Sequence, residues 1–182
     1  MMLGILIMLV APGVLGAQSS TEKKALSSLK KIFGDSIAVV STTIRLSSPE
    51  KDTLGGRVKH KFSSDSVTFY LCKTPGKTVG YGFVDNVRGK TQFITYMVAL
   101  NTRGEIMDID VLVYRESYGG EIAYESFRKQ FRNKTTKDRL QPGRDIKNIS
   151  GATISVQAIS DGVKRILSTF EVLHPRLKAL CE

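Results

Sequence analysis

The sequence predicts a single α+β domain in which a mostly antiparallel sheet packs with helices. Its middle holds at least four short segments of β-branched or alternating apolar residues, and the turns between them are too short for the crossovers of a parallel sheet. Segments with apolar residues at helical spacing lie before and after these strands. Strands grouped together, with helices beside them and no internal repeat or linker, are typical of one α+β domain.

The first half of the chain is expected to hold one helix and three strands. The predicted elements are a helix over residues 21–34 and strands over residues 37–46, 66–74 and 78–87. The helix ends at Gly34, which is a suitable C-terminal stop. A polar stretch with Pro49 and two glycines separates the first two strands. Gly80 and Gly82, inside the third strand, indicate a bulge or a close approach by another part of the chain.

The second half begins with the clearest hairpin in the chain and ends with a long helix. The hairpin pairs residues 91–101 with residues 105–116 across a turn that contains a glycine. A helical stretch with spaced apolar residues follows, and it leads into a polar loop over residues 133–147. The last helical period starts at Ile154, and we expect it to stop at Pro175.

Residues 1–17 resemble a secretory signal peptide, which would leave residues 18–182 as the mature domain. Residues 3–10 are apolar except for Gly4, and a small-residue cleavage site stands at Leu15-Gly16-Ala17. A membrane span needs roughly 20 continuous apolar residues, and this run is shorter. An uncleaved anchor and a buried helix are the alternatives. An export signal predicts a periplasmic or other extracytoplasmic location, either free or associated with a membrane.

The basic composition limits the classes of partner. The formal net charge of +10 at pH 7 favours an anionic membrane surface or acidic partner proteins. The lysines and arginines are dispersed and no nucleic-acid-binding motif is present, so we do not expect nucleic acid as a partner. Cys72 and Cys181 have no C-x-x-C spacing and no neighbouring histidine, so no metal site is expected. In an oxidising compartment these two cysteines could form a disulfide.

The stretch N-I-S-G-A-T-I-S, residues 148–155, lies where the polar loop enters the final helix. Thr153 or Ser155 can cap the free amide groups of that helix start, which is the ordinary role of a hydroxyl residue there. Gly151 and Ala152 remove side-chain bulk just before the hydroxyl residues. A bare helix start also suits an anion, above all a phosphate. The residues alone leave both interpretations open.

The S-G-A-T of residues 150–153, opening a C-terminal helix, resembles the motif of the FMN-binding domain family. That family includes the flavin-carrying subunits of Rnf-type and sodium-translocating quinone reductase complexes, in which the threonine carries FMN through a phosphodiester bond. A separate flavin transferase attaches the FMN outside the cytoplasm. The resemblance implies that Thr153 is the acceptor here. It also implies that small and hydroxyl residues surround the phosphate, namely Ser150, Gly151, Ala152 and Ser155.

A second segment supports the resemblance, which spans roughly residues 78–170. The family often has E-T-P-G-L-G after a strand, followed by a helix and a Q-F pair. The corresponding residues here are Glu116, Ser117, Tyr118, Gly119, Gly120 and Glu121, and then Gln130-Phe131. The resemblance implies that Glu116 and the backbone of Gly119 and Gly120 contact the isoalloxazine or ribityl part of FMN. Tyr118 stands where proline is common, and an aromatic side chain there would stack on a flavin ring.

Tyr118 and Glu121, where the family commonly has proline and the second glycine, depart from the pattern, and a further departure bears on covalent attachment. The recognition pattern of the transferase has an aspartate three positions before the first hydroxyl residue, and this chain has Lys147 there. Tight non-covalent FMN binding is therefore the alternative to covalent attachment.

The resemblance implies an exported flavoprotein that transfers electrons to or from redox partner proteins. No catalytic acid or base is expected, because electron transfer on a bound flavin needs none. An exported binding or structural module of the same fold without a cofactor is an alternative, which Lys147 favours. A flavin-dependent reductase with its own small substrate is another.

Overall fold

The predicted strand segments form one antiparallel sheet with the order β1-β2-β3-β4-β5. The structure, a computed structural model, describes residues 19–57 and 65–180. The strands are Ala38–Arg45 (β1), Ser66–Thr74 (β2), Lys77–Arg88 (β3), Phe93–Asn101 (β4) and Ile106–Val113 (β5). The helices are Ser20–Phe33 (α1), Ser48–Arg57 (α2), Glu125–Arg128 (α3) and Thr153–Ala179 (α4), with short 3-10 segments at Gly120–Ala123 and Lys129–Phe131. The predicted α+β class is confirmed.

Helices cover both faces of the sheet. One face packs on α1 through a small core, and the other packs on α2 and α4 through a larger one. The buried members of the small core are Ala25, Leu29, Ile37, Cys72, Met97, Ala99 and Leu112. β4 lies between the two layers, so its residues from Tyr96 to Leu100 are all buried. This double burial explains why β4 reads as an almost continuous apolar run rather than an alternating one.

Glycines let the helices approach the sheet closely. A Cβ at Gly82 would lie 2.7 Å from a methyl carbon of Leu29, and one at Gly80 would overlap the Phe33 ring. The predicted close approach is confirmed. A register shift in the β2–β3 pairing falls next to Gly80, since Cys72 faces Gly80 but the following residue, Lys73, faces Thr78. The glycines therefore place α1 directly against β3.

α2 occupies the polar stretch in which no helix was expected. Its one buried residue is Leu54, so it shows no apolar period that a sequence pattern could reveal. The helix start does carry a signal. Glu50 accepts hydrogen bonds from Ser47 N at 2.7 Å and Ser47 Oγ at 2.8 Å. A Ser followed three residues later by Glu, with Pro49 between them, is typical of a helix N-terminus.

The expectation that Pro175 stops the last helix is wrong. Pro175 lies inside α4, which continues to Ala179. Burial of Leu173 and Leu177 on either side of it holds the last turns on the core. Arg176 also donates to Arg45 O at 3.0 Å. These contacts offset the one backbone hydrogen bond that a proline removes.

The predicted helical stretch after the hairpin is broken into three short pieces. Two 3-10 segments flank the four-residue helix α3. Phe127 and Phe131 are buried, with ring centroids 5.4 Å apart. The pattern therefore identified the buried residues correctly, although the backbone does not form one continuous helix.

The N-terminal prediction lies outside the described residues, as does Cys181. Among the helices that the structure describes, none combines the length and the apolar composition needed to cross a bilayer. Cys72 is buried against α1 and forms no disulfide with a described residue. Burial raises the pKa of its thiol to about 12. The pairing of the two cysteines stays a prediction.

Candidate functional site

The final helix starts at Thr153, and no side chain caps it. Ala152 occupies the N-cap position, with φ −119° and ψ 14°. The prediction that Thr153 or Ser155 caps this helix is wrong, because Thr153 is already its first residue and Ser155 is buried below it. The first amide groups of an α-helix have no partner within the helix. Those of α4 therefore remain available to an anion at the positive end of the helix dipole.

The Thr153 hydroxyl lies at the surface and is held by Asn148. Asn148 Nδ2 donates to Thr153 Oγ1 at 3.2 Å. Asn148 Oδ1 accepts from Ile149 N at 3.0 Å, and Ala152 N donates to Ile149 O at 3.0 Å. The segment before the helix thus folds back so that Asn148 reaches the predicted acceptor. The exposed hydroxyl can be approached from solvent.

The two predicted motif segments touch each other. A Cβ at Gly119 would lie 2.7 Å from Ala152 Cβ and 2.9 Å from the Tyr114 hydroxyl oxygen. Tyr114 donates a hydrogen bond to the Tyr118 carbonyl oxygen, and its hydroxyl lies 3.3 Å from Ser155 Oγ. Segments more than thirty positions apart in the chain therefore form one site at the start of α4.

Glu116 is directed towards the β3–β4 turn. Its Oε1 accepts from Thr91 N at 2.8 Å and Gln92 N at 3.0 Å, and its Oε2 accepts from Thr91 Oγ1 at 2.6 Å. The hydrogen bond from the Thr91 side chain, followed by those from the two amides, lowers the pKa of Glu116 to about 2. The carboxylate is therefore ionised at neutral pH and holds the turn in place. Its predicted contact with the flavin stays a prediction.

The remaining predicted residues surround the site at its surface. Ser150, Gly151, Ser117 and Gly120 are all exposed. Tyr118 is 83% exposed, so its ring is free to contact a ligand or a partner. Ile154, the residue after the predicted acceptor, is 51% exposed. These two apolar side chains lie on the two segments that meet at Ala152.

Lys147 is held by its backbone. Its amide donates to Gln130 Oε1 at 2.6 Å, and the residue is exposed. The glutamine of the predicted Q-F pair therefore connects the helical pieces to the segment that carries the predicted acceptor. Lys147 directly precedes Asn148, so it is the charged residue that enters the site with the polar loop.

Sequence reasoning missed Tyr114, Asn148 and Thr91 as parts of this site. Asn148 could have been found, since Asn side chains commonly bind backbone groups nearby and it directly precedes the motif region. Tyr114 and Thr91 offered no local signal, because their partners lie on other segments. Within the described ranges, no group of three or more His, Cys, Asp or Glu residues could hold a metal ion.

Comparison with known proteins gives a family match over the region that contains this site. Residues 89–168 match the model of the FMN-binding domain. The chain is 28% identical over 104 residues to one component of the proton-translocating ferredoxin:NAD(+) oxidoreductase complex of Clostridium ljungdahlii. This match covers 53% of the chain and 56% of that relative, so the chain spans about half of the relative's length.

Two solved structures share the fold. The structure of NqrC from Shewanella oneidensis superposes with a TM-score of 0.57 at 16% identity, covering 82% of this chain and 88% of that one. A component of the Na(+)-translocating NADH-quinone reductase from Parabacteroides distasonis gives a TM-score of 0.57 at 12% identity, covering 85% and 92%. The family match over residues 89–168 confirms the resemblance to the FMN-binding domain family, and with it FMN as the cofactor.

Proposed function

We propose that this chain, with its FMN-binding domain over residues 89–168, is an exported electron-transfer flavoprotein whose FMN is joined to Thr153 by a phosphodiester bond. One observation carries the proposal. Thr153 presents an exposed hydroxyl at the uncapped start of α4, beside the second motif segment. Bound FMN supplies the electron-transfer chemistry, and the protein supplies its position and surroundings.

The residues present fit a phosphate group. The free amides at the start of α4 can donate to its oxygens, and the helix dipole favours its negative charge. Ala152 is the side chain that packs on Gly119, and a larger residue at either position would separate the two segments. Ser150 and Gly151 are exposed beside them. These groups would hold the phosphate while Thr153 Oγ1 forms the covalent bond.

Attachment requires an activated form of FMN, for which we propose a flavin dinucleotide as donor and a flavin transferase as catalyst. Thr153 Oγ1 would supply the oxygen of the new P–O bond to the FMN half as the pyrophosphate bond breaks, with adenosine monophosphate as the leaving group. The hydroxyl proton of Thr153 would pass to a base of the transferase. Asn148 stabilises the hydroxyl in its exposed orientation through the 3.2 Å hydrogen bond.

The biological setting is part of the proposal. The Clostridium relative is named as part of an oxidoreductase complex, which supports a role as one member of an assembly of redox partner proteins. The apolar residues 3–10 support export, and the net charge of +10 is compatible with a location near an anionic membrane surface.

Replacement of Thr153 tests the covalent bond. The full precursor is expressed in an exporting host with an active flavin transferase, and a denaturing gel is inspected under ultraviolet light. We expect a fluorescent band for the natural protein and none for Thr153→Val. Thr136→Val, at an exposed threonine of the polar loop, is the matched control and should stay fluorescent. Equal fluorescence of the two variants, or a dark band for the natural protein, contradicts the proposal.

Lys147 favours a second candidate, non-covalent FMN binding, because the transferase pattern has an aspartate there. Lys147→Asp restores that pattern, so we expect the labelled fraction to rise or to stay complete. If the natural protein is dark on the gel but releases FMN when denatured, the non-covalent candidate holds. A preparation without any flavin in that host would leave the cofactor-free module as the answer.

A further inference from the structure

A rigid cationic loop leads into the flavin site. Residues 137–147, here called the basic loop, carry four cations that are all exposed and form no ion pair with a described residue, namely Lys137, Arg139, Arg144 and Lys147. The loop also contains Asp138 and Asp145, and both are paired with Lys134 at 3.5 Å and 3.2 Å. Because Lys134 is shared by both carboxylates, the loop together with Lys134 carries five positive and two negative charges, a net charge of about +3, and its four cations that pair with no described residue are all exposed.

The basic loop is held in one shape. Leu140 and Ile146 are fully buried, and Leu140 keeps a positive φ of 48° that a leucine rarely adopts. Asp145 stabilises this conformation, because its carboxylate accepts from Leu140 N at 2.9 Å and from Gln141 N at 2.7 Å. Gly143 N also donates to Ile146 O at 2.8 Å. The cations are thus displayed on a preformed surface rather than on a freely moving segment.

The loop ends at the flavin acceptor. Lys147 is its last residue, and the next residue, Asn148, hydrogen-bonds Thr153. Two apolar side chains, Tyr118 at 83% and Ile154 at 51% exposure, lie on the motif segments that meet at Ala152. A small apolar centre beside a charged rim is the usual composition of a transient protein interface. A partner protein on this face would contact both the cations of the loop and the two exposed apolar side chains.

We propose that the basic loop is the docking surface for an acidic redox protein, which it steers to the start of α4, where FMN is proposed to be attached. The choice of a redox protein as the partner rests on the proposed function. The charged surface itself consists of protein side chains and does not depend on bound FMN. Charge complementarity at an interface rim speeds encounter and sets orientation. A fixed rim beside apolar residues suits a protein of defined shape better than a fluid lipid surface.

The test measures binding of an acidic plant-type ferredoxin as the probe, by calorimetry at about 20 mM and about 200 mM salt. The loop variant replaces Lys137, Arg139 and Arg144 by Gln and leaves Lys147 in place, because that residue borders the acceptor. The matched control replaces three exposed lysines on α1 by Gln, namely Lys23, Lys30 and Lys31. Both variants therefore lose three positive charges.

We expect the loop variant to weaken ferredoxin binding about tenfold at low salt, and the control variant less than about threefold. High salt should remove the difference. Equal weakening by both variants would assign the attraction to net charge alone, and no weakening by the loop variant would also overturn the proposal. Co-sedimentation with phosphatidylglycerol vesicles is a further arm. If the loop variant loses vesicle binding and keeps ferredoxin binding, the loop faces a membrane and the proposal fails.

Binding is repeated in Thr153→Val, which carries no covalent flavin. In that background the loop substitutions should again weaken ferredoxin binding about tenfold, because Lys137, Arg139 and Arg144 lie outside the residues proposed to hold FMN. A dark gel for the natural protein together with a selective loss in the loop variant would reject the covalent FMN and leave the docking surface standing. A fluorescent gel for the natural protein without a selective effect of the loop variant would support the covalent FMN and reject the docking surface.

Discussion

Gly119 and Gly151 belong to the two motif segments of one site, and both have the same unusual backbone. Their φ values are +86° and +79°, in the region that favours glycine. Their surroundings are opposite. A Cβ at Gly119 would lie 2.7 Å from Ala152 Cβ, whereas one at Gly151 would meet nothing within 4 Å. The segment around Gly119 is packed, and the segment around Gly151 is open.

This difference indicates that the two glycine-containing segments have different structural roles in the site. The residues from Glu116 to Gly119 are fixed to the β3–β4 turn and to Tyr114, so they form the support. Ser150, Gly151 and Thr153 are exposed, and no side chain caps the helix that they lead into, so residues 150–153 form the seat. A ligand site of this kind needs both a rigid support and an unoccupied set of donors.

The largest effect is expected for Gly119→Ala. The methyl group would be strained at φ +86° and would overlap Ala152, so we expect a loss of about 2–4 kcal/mol in the free energy of unfolding. Displacement of the support should also reduce FMN incorporation at least about tenfold. Gly151→Ala has the strain without the overlap and should cost only about 1–2 kcal/mol. Urea unfolding and in-gel flavin fluorescence measure the two quantities.

Gly120→Ala is the control for this pair. Its Cβ would meet nothing within 4 Å and its φ is not positive. We expect stability within about 0.5 kcal/mol of the natural protein. If Gly119→Ala and Gly151→Ala turn out equally destabilised, the contact with Ala152 contributes nothing and the division into support and seat is wrong.

A middle-sized effect is expected inside the seat, for Asn148→Asp. The carboxylate can still accept from Ile149 N, but it can no longer donate to Thr153 Oγ1. Loss of one exposed hydrogen bond is worth about 1 kcal/mol, so flavin attachment by a purified transferase should slow roughly fivefold, and the thermal midpoint should fall by no more than about 4 °C. Asn148→Ala separates the lost donor from the added charge. Attachment at the natural rate in Asn148→Ala would show that Asn148 does not position the hydroxyl.

The sheet and the long helix were predictable because their signals are local and periodic. β2 agrees with the predicted bounds to the residue, and the hairpin of β4 and β5 was expected from alternation and a glycine turn. α2 was not predictable, because a helix with a single buried residue shows no apolar periodicity. The prediction that Pro175 ends the last helix failed for a related reason: the helix continues because Leu177 is buried, and that burial depends on tertiary packing.

The site was predictable only in part, and the limit is again one of distance along the chain. Thr153 and Gly119 could be named from short motifs, but their meeting at Ala152 depends on the folded structure. The expected capping by Thr153 failed because the helix starts one residue earlier than the apolar period indicates. The role of Glu116 in the β3–β4 turn could not be seen, since its partner Thr91 lies 25 residues away.

The smallest effect is expected in the support, for Glu116→Gln, and it should depend on pH. The pKa of Glu116 is lowered to about 2 from 4.5, so the ionised form stabilises the fold above the unfolded pKa. That contribution is lost as the pH falls from about 4.5 towards 2, when the carboxylate takes up a proton. The natural protein should therefore lose stability more steeply than the variant across this range. At neutral pH the variant should unfold at a slightly lower urea concentration, because the amide keeps part of the hydrogen bonding to Thr91 and Gln92.

Urea midpoints measured from pH 7 to pH 2 test this, with the exposed Glu121→Gln as a control of equal charge change. If the curves for Glu116→Gln and Glu121→Gln run parallel throughout, Glu116 does not anchor the turn, and the support must be held by Tyr114 alone.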